Sequence, residues 1–364
     1  MTPEISTRQY VPALDGVRGI AILLVVLYHN FGLGDQFYIG WLGVDLFFVL
    51  SGYLITGILV DTVDSKKYLR NFYARRVLRI FPLYYLILII FLLVFPAINF
   101  HKQSLSYYTD NQLWFWGYLE NWLLIFNFPQ GPGYLNHFWS LAVEEQFYLI
   151  WPFIVLLLKK PKKLLVFMFF VLVLLVAVRS YLWSLKIENF NYTLFYRFTR
   201  IDGICIGCII ALSQKINRNF LSKNTAYIVT GLAGINFLFY FLNSAGEFDF
   251  PYLAFVGYTT FAAMFGLLVN EAAMGNNRLV NTLFSLPPLR YIGRISYGFY
   301  IFHFPIYLLL SPLLYNFISD YFIFSEKTAQ LTVSITATLI AFIVSVISYH
   351  TFEMIFLKMK NRFT

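Results

Sequence analysis

Ten apolar runs, each long enough to cross a bilayer, constrain this chain more than anything else in its sequence. They lie near residues 14–32, 40–60, 80–98, 138–158, 163–183, 196–213, 225–243, 252–271, 294–316 and 328–356, and about 17 to 25 residues suffice for one helical crossing. Hydrocarbon offers backbone groups no partner, so each run has to satisfy its own N–H and C=O groups as a helix. Only 12% of the 364 residues are charged and 59% are hydrophobic, well short of the roughly one quarter charged that soluble domains carry. The expected fold is an all-α integral membrane protein of about ten transmembrane helices plus one re-entrant or interfacial segment.

The basic residues set the expected orientation. A net charge of +9 with a pI near 9.3 would suggest nucleic acid in a soluble chain. Here the cations sit between apolar runs, so they read as a topology signal and not as a nucleic-acid surface. With a cytoplasmic N-terminus, the cytoplasmic segments hold Arg8, the stretch from Lys66 to Arg79, KKPKK, Lys215, Arg218, Lys223, Arg278, Arg290, Arg294 and the Lys358–Arg362 tail. The outer loops keep only Lys102, Lys186 and Lys327. The shorter run 113–128 carries Glu120 and Asn121, and counting it as a crossing would invert every later loop, placing KKPKK outside against the positive-inside rule. It is expected to be re-entrant or interfacial, with NSAGEFDFP outside. Both termini are then cytoplasmic, in a multi-pass protein of the cell (inner or plasma) membrane that lipids surround. The start MTPEISTRQYVPALDGVR has no signal-peptide pattern, and 1–364 reads as a single membrane domain with no appended soluble domain. Cys205 and Cys208 give no disulfide framework and no metal site; beside Gly203 and Gly207 they read as close helix packing.

Ionisable side chains inside apolar runs cost about 2.5–3.5 kcal/mol on insertion scales, and so need a reason. Arg18 and His29 lie on the first run, eleven residues apart, which is about 20° beyond three full helical turns and about 16 Å of axis. A ligand with an anionic head at the inner surface and a long arm could touch both. Asp45, on the second run, is expected at the depth of His29, where a carboxylate would orient an imidazole base; capping the helix or pairing with an arginine elsewhere are the alternatives. Arg75, Arg76 and Arg79 cluster at the inner mouth of the third run, and guanidinium forks suit phosphate oxygens, although lipid headgroups or plain topology also explain a basic loop. In HFWSLAVEEQFYLIWP, His137, Ser140 and Glu144 share one stripe. Glu144 and Glu145 can serve chemistry or pair with Arg179, Arg197 or Arg200, while Arg200 and Asp202 could satisfy each other. His303 precedes Pro305 and fits packing or lining equally well.

In order along the chain, LDGVRGIAILLVVLYHNF, GVDLFFVLSGYLI, RRVLRIFPLYY, HFWSLAVEEQFYLIWP, RIDGICIG and GRISYGFYIFHFPI resemble the acyltransferase 3 family of membrane-bound O-acyltransferases across residues 10 to 357. The resemblance implies an enzyme that takes an acyl group, commonly acetyl, from acyl-coenzyme A on the cytoplasmic side and passes it to a hydroxyl of a surface or exported glycan or lipid-linked sugar. No tightly bound cofactor is implied; acetyl-coenzyme A is a co-substrate. Arg18 and His29 would be the functional pair, and Arg75, Arg76 and Arg79 would belong to the donor site. Some members carry a further extracytoplasmic hydrolase-like domain; with none here, transfer to the acceptor is expected in the membrane part or through a partner. In the closing pattern Ser348, Tyr349 and Glu353 fit, but Ile355 stands where the family has proline.

The expected chemistry places coenzyme phosphates on Arg18, Arg75, Arg76 and Arg79 and the thioester near His29. That histidine either accepts the acyl group or deprotonates the acceptor, oriented by Asp45 or Glu144; His137, Glu145 and His303 are candidate substrate contacts. The rival reading is a multi-spanning transporter or flippase. It calls for matching inverted halves, a pattern that 14–158 and 196–356 do not display.

Overall fold

The computed structural model describes residues 10–31, 40–129, 131–188, 190–218, 225–244, 252–322 and 324–363, which form helices and no strand. Arg8, Lys223 and most of NSAGEFDFP lie outside these residues. In chain order the helices are α1 (Pro12–Asn30), α2 (Leu42–Thr62), α3 (Tyr68–Ile89), α4 (Lys102–Asp110), α5 (Gln112–Trp116), α6 (Glu120–Phe126), α7 (Trp139–Leu158) and α8 (Pro161–Leu185). There follow α9 (Tyr192–Phe198), α10 (Asp202–Ile216), α11 (Thr225–Ser244), α12 (Tyr258–Met274), α13 (Arg278–Phe284), α14 (Pro287–Tyr321), α15 (Glu326–Ser348) and α16 (Met354–Met359).

Among the described residues, eight helical segments are long and apolar enough to cross a membrane: those built on α1, α2, α3, α7, α8, α12, α14 and α15. The chain is therefore a multi-pass membrane protein. The two other expected crossings fall on α10, of 15 residues, and on α11, whose apolar stretch is Tyr227–Phe239. Run 113–128 forms no single helix. It breaks into α5 and α6 at Tyr118, a non-glycine residue at φ 53°, and neither piece approaches the roughly 30 Å of a hydrocarbon core at about 1.5 Å per residue.

Burial separates centre from rim. The most apolar window of α2 is 72% buried and that of α8 only 17%, so α2 is the central helix and α8 faces lipid. Small residues make the centre tight, because without a difference in polarity between lipid and helix surface, close van der Waals contact is what holds helices together. A Cβ added at Gly207 of α10 would stand 2.1 Å from the Val49 carbonyl oxygen of α2, and one at Gly52 of α2 would stand 2.1 Å from that of Ile204. The same closeness joins α1 to α14, where a Cβ on Gly293 would fall 1.8 Å from the Asp15 carbonyl oxygen. Cys205 and Cys208 are buried and unbridged, in the packing role that their glycine neighbours indicate. Indole Nε1 of Trp151 on α7 donates to Thr56 Oγ1 on α2 (2.9 Å), which in turn donates to Cys208 Sγ on α10 (3.0 Å).

Candidate active site

A cavity of about 1210 Å³ opens beside α2, α3 and α7, larger than the about 300–1,000 Å³ of most small-ligand pockets. Its α2 lining runs from Val44 to Thr62, about 27 Å of helix axis at about 1.5 Å per residue. One end is cationic. Arg18, Arg75, Arg76, Arg79 and Lys360 all line it, gathered from α1, α3 and the turn after α16. Arg18 Nη1 donates to Asp15 Oδ1 at 3.0 Å. Arg75, Arg76, Arg79 and Lys360 make no ion pair among the described residues, and Nε of Arg75 and of Arg76 is buried without a hydrogen-bond partner. Asp61, Asp64, Glu144 and Glu145 line the same cavity, but none of them forms an ion pair with these four cations among the described residues, which leaves guanidinium donors open to an anion.

Lys360 reaches this mouth because the last long helix runs on without reversal, helical from Glu326 to Arg362. A π-helical turn, Tyr349–Glu353, leads into α16, and Ser348 Oγ donates to Glu353 Oε1 at 3.1 Å. With isoleucine at 355, the helix runs on to Met359 and delivers Lys360. Nothing in the spacing of the tail signals this, because the contact joins residues almost 300 positions apart. Reading Lys360 as topology alone missed it.

The middle of the cavity is polar: Ser51, Glu144, Glu145, Tyr148, Ser296 and Tyr297 face it. Ser51 Oγ is hydrogen-bonded to Tyr148 Oη, which also donates to Glu144 Oε2 at 3.3 Å. Neither glutamate makes the expected pair with Arg179, Arg197 or Arg200 among the described residues.

The far end is closed by Ser140 and Tyr300, whose hydroxyls lie 2.6 Å apart, with Val44 and Phe47 beside them. Tyr300 Oη also donates to the His137 carbonyl oxygen at 2.7 Å. Behind this layer stand three histidines. The His29 ring lies 5.1 Å from that of His303 and 6.3 Å from that of His137, and His137 and His303 are 5.2 Å apart. His137 and His303 are buried, while His29 is partly exposed. The structure thus brings together His29, His137 and His303 from three separated helices. It places Arg18 in the cavity wall and His29 one ring layer beyond it, past Tyr300, so the pair on α1 shares a helix but not a lining.

Asp45 is not beside His29. It forms an ion pair with Arg200 Nε at 3.1 Å, and the Arg200 guanidinium lies 5.0, 5.1 and 4.9 Å from the ring centroids of Trp41, Trp139 and Tyr258. Nor do Arg200 and Asp202 satisfy each other. Arg200 lies in the link before α10, and its guanidinium turns to Asp45, while Asp202, at the start of α10, takes Arg179 in a bidentate pair at 3.0 and 2.6 Å. Orientation of His29 by either Asp45 or Glu144 is absent from this geometry, since both acids are engaged elsewhere.

The sequence profile of an acyltransferase domain matches residues 11–350. The chain is 33% identical over 322 residues to the peptidoglycan O-acetyltransferase OatA of Listeria monocytogenes, a match that covers 85% of this chain and 51% of that protein. It is 32% identical over 320 residues to the putative peptidoglycan O-acetyltransferase YrhL of Bacillus subtilis, covering 84% and 50%. With the O-acetyltransferase OatA of Staphylococcus aureus it shares 28% identity over 367 residues, covering 95% and 57%. The chain thus spans about half the length of the curated relatives it matches. No solved structure matches it.

Proposed function

Since the chain belongs to the acyltransferase 3 family, we propose that it moves an acetyl group from acetyl-coenzyme A, bound in the cavity, to a hydroxyl of a cell-envelope glycan, with peptidoglycan as the first acceptor to test. The observation that carries this reading is the cavity itself. One end holds Arg75, Arg76, Arg79 and Lys360 without carboxylate partners, about 27 Å along α2 from the end that Tyr300 closes in front of the histidine cluster. A phosphorylated nucleotide head with a long thioester arm has that shape and charge. By the positive-inside rule the cationic mouth faces the cytoplasm, where the donor is made, and the histidine end faces the outer leaflet, where the acceptor arrives.

The phosphates rest on Arg18, Arg75, Arg76, Arg79 and Lys360. Polar groups in mid-cavity, with Ser51, Tyr148 and Glu144 among them, meet the amide-bearing arm. The acyl end then displaces the Tyr300 ring, the layer between cavity and histidines, and His29 removes the acceptor hydroxyl proton as general base. Holding thioester and hydroxyl together in a water-poor site supplies much of the rate. Neither Asp45 nor the Ser51–Tyr148–Glu144 group takes part at His29.

The test uses a strain lacking its own peptidoglycan O-acetylation, with this chain expressed alone and beside a periplasmic esterase-like partner domain. His29→Ala abolishes and Arg75→Ala lowers base-labile acetate on the glycan while protein levels hold. Wild-type acetylation in either variant overturns the reading. A transporter would release no coenzyme A when acetyl-coenzyme A and acceptor are supplied to the purified protein.

A further inference from the structure

His29 makes both of its hydrogen-bond contacts on one ring nitrogen, and this settles where its proton sits. Nδ1 lies 3.0 Å from the Val25 carbonyl oxygen and 3.2 Å from Nε2 of His303. A carbonyl oxygen only accepts, so His29 Nδ1 carries the hydrogen. His303 obeys the same rule: its Nδ1 lies 2.8 Å from the Tyr300 carbonyl oxygen and 3.1 Å from that of Phe299. Its hydrogen is therefore on Nδ1 and its lone pair on Nε2. The 3.2 Å contact is then the second branch of a three-centre bond, in which the one Nδ1–H of His29 is shared between the Val25 carbonyl oxygen and Nε2 of His303. Nε2 of His29 is left as a lone pair with no hydrogen-bond partner among the described residues.

We propose that His303 is the positioning residue of His29: it accepts from Nδ1–H, holds the ring in that tautomer and presents the Nε2 lone pair to the acceptor hydroxyl. This rests on the general-base reading above. In the step itself the hydroxyl oxygen bonds to the acyl carbon and its proton passes to His29 Nε2. The carbon–sulfur bond breaks, the thiolate leaves with the electron pair, and the proton on Nε2 then goes to the thiolate. Throughout, Nδ1–H of His29 stays donated to His303, which shares the transient imidazolium charge. A carboxylate commonly fills such a position. A neutral imidazole fills it without adding a second charge to an apolar interior, and Asp45, the acid the sequence placed there, is held by Arg200. Among the described residues, the titratable groups facing the pair are His137, with its ring 6.3 and 5.2 Å from those of His29 and His303, Tyr28, 5.0 Å from the ring of His29, and Tyr300, 5.7 Å from that of His303.

The experiment uses the full chain in lipid nanodiscs with ¹⁵N-labelled histidine, His29 being assigned by the signal lost in His29→Ala. The expected result is a protonated Nδ1 and an unprotonated Nε2 on His29, a preference that His303→Phe erases. With acetyl-coenzyme A and soluble peptidoglycan strands, His303→Phe lowers kcat about 100-fold and leaves KM for the donor unchanged. His303→Gln, whose Oε1 stands near the place of Nε2, recovers at least about tenfold of that loss by restoring an acceptor. A hydrogen on Nε2 of His29 in the unaltered protein, wild-type kcat in His303→Phe, or a glutamine variant no faster than the phenylalanine one overturns the proposal. Should the phenylalanine variant not fold, the unaltered protein's tautomer and the glutamine variant decide. An active His29→Ala would instead overturn the general-base reading, whereas an inactive His29→Ala beside a fully active His303→Phe overturns the role of His303 alone.

Discussion

Arg200 is a cation enclosed by three aromatic faces and one carboxylate, and its four partners come from three separate segments. Trp41 precedes α2, Trp139 opens α7, Tyr258 opens α12 and Asp45 sits in the first turn of α2. Removing the carboxylate leaves a guanidinium unpaired in a buried site, which costs about 3–5 kcal/mol in soluble proteins. Asp45→Ala is therefore expected to lower the thermal midpoint and folded yield of the detergent-solubilised protein, read by tryptophan fluorescence, while His29→Ala leaves both unchanged. An Asp45→Ala protein of normal midpoint but no activity would return that acid to the chemistry. The same residue marks the limit of what the sequence could tell. Spacing along a helix gives depth, at about 1.5 Å per residue, and the face within that helix. It placed Arg18, His29 and the arginine cluster at their levels. Which neighbour a face meets depends on helix packing, so depth put Asp45 level with His29 but could not send it to Arg200, nor bring His303 and His137 to His29.

Helices α2 and α10 touch through backbone. With a Cβ at Gly207 falling 2.1 Å from Val49 O, no rotamer relieves the overlap, and the helices have to part. Overpacking costs about 1–3 kcal/mol where side chains can yield, and here the obstacle is main chain. Gly207→Val is expected to abolish the folded protein in a size-exclusion assay, and Gly207→Ala to lower its thermal midpoint; an alanine variant as stable as wild type would disprove the contact. The short helices α5 and α6 obey a different constraint. Glu120 is fully buried at the start of α6, with Tyr84 Oη 3.2 Å from its Oε1 and Oε2 unpartnered among the described residues. Burial pushes this carboxyl well above the usual carboxylate range. The folded state then holds its proton more tightly than the unfolded one. Its contribution to stability is complete below the unfolded pKa of about 4.3 and is lost as pH rises toward the folded value. Glu120→Gln, the isostere of the protonated acid, is expected to fold normally and to flatten that decline in thermal midpoints between pH 5 and pH 9. An unchanged slope would place the proton elsewhere. Composition and charge placement sufficed to exclude 113–128 as a crossing. They could not reveal that the break falls at Tyr118, because a positive φ at a tyrosine is imposed by tertiary contacts.

The whole molecule is a bundle with a cationic mouth at one end, a histidine cluster at the other and one tyrosine ring between. The mouth is assembled from the two ends of the sequence: Arg18 from α1, three arginines from α3, and Lys360 from the turn after α16. Hydrogen bonds to charged groups contribute about 1.5–3 kcal/mol each, so deleting one cation weakens a phosphate-bearing ligand by about 10- to 150-fold. Lys360→Ala and Arg75→Ala are each expected to raise the Kd of coenzyme A, titrated calorimetrically in nanodiscs, by that factor, and to reduce its dependence on salt. Pantetheine shares the thiol arm and lacks the phosphates, so its Kd stays as in the unaltered protein. Lys360 stands in the C-terminal tail, outside every motif by which the family was recognised, which makes its variant the sharper of the two. If Lys360→Ala weakens both ligands equally, the tail acts by holding the bundle shut; if it weakens neither, the donor's phosphates rest on the arginines alone and the mouth does not extend to the C-terminal helix.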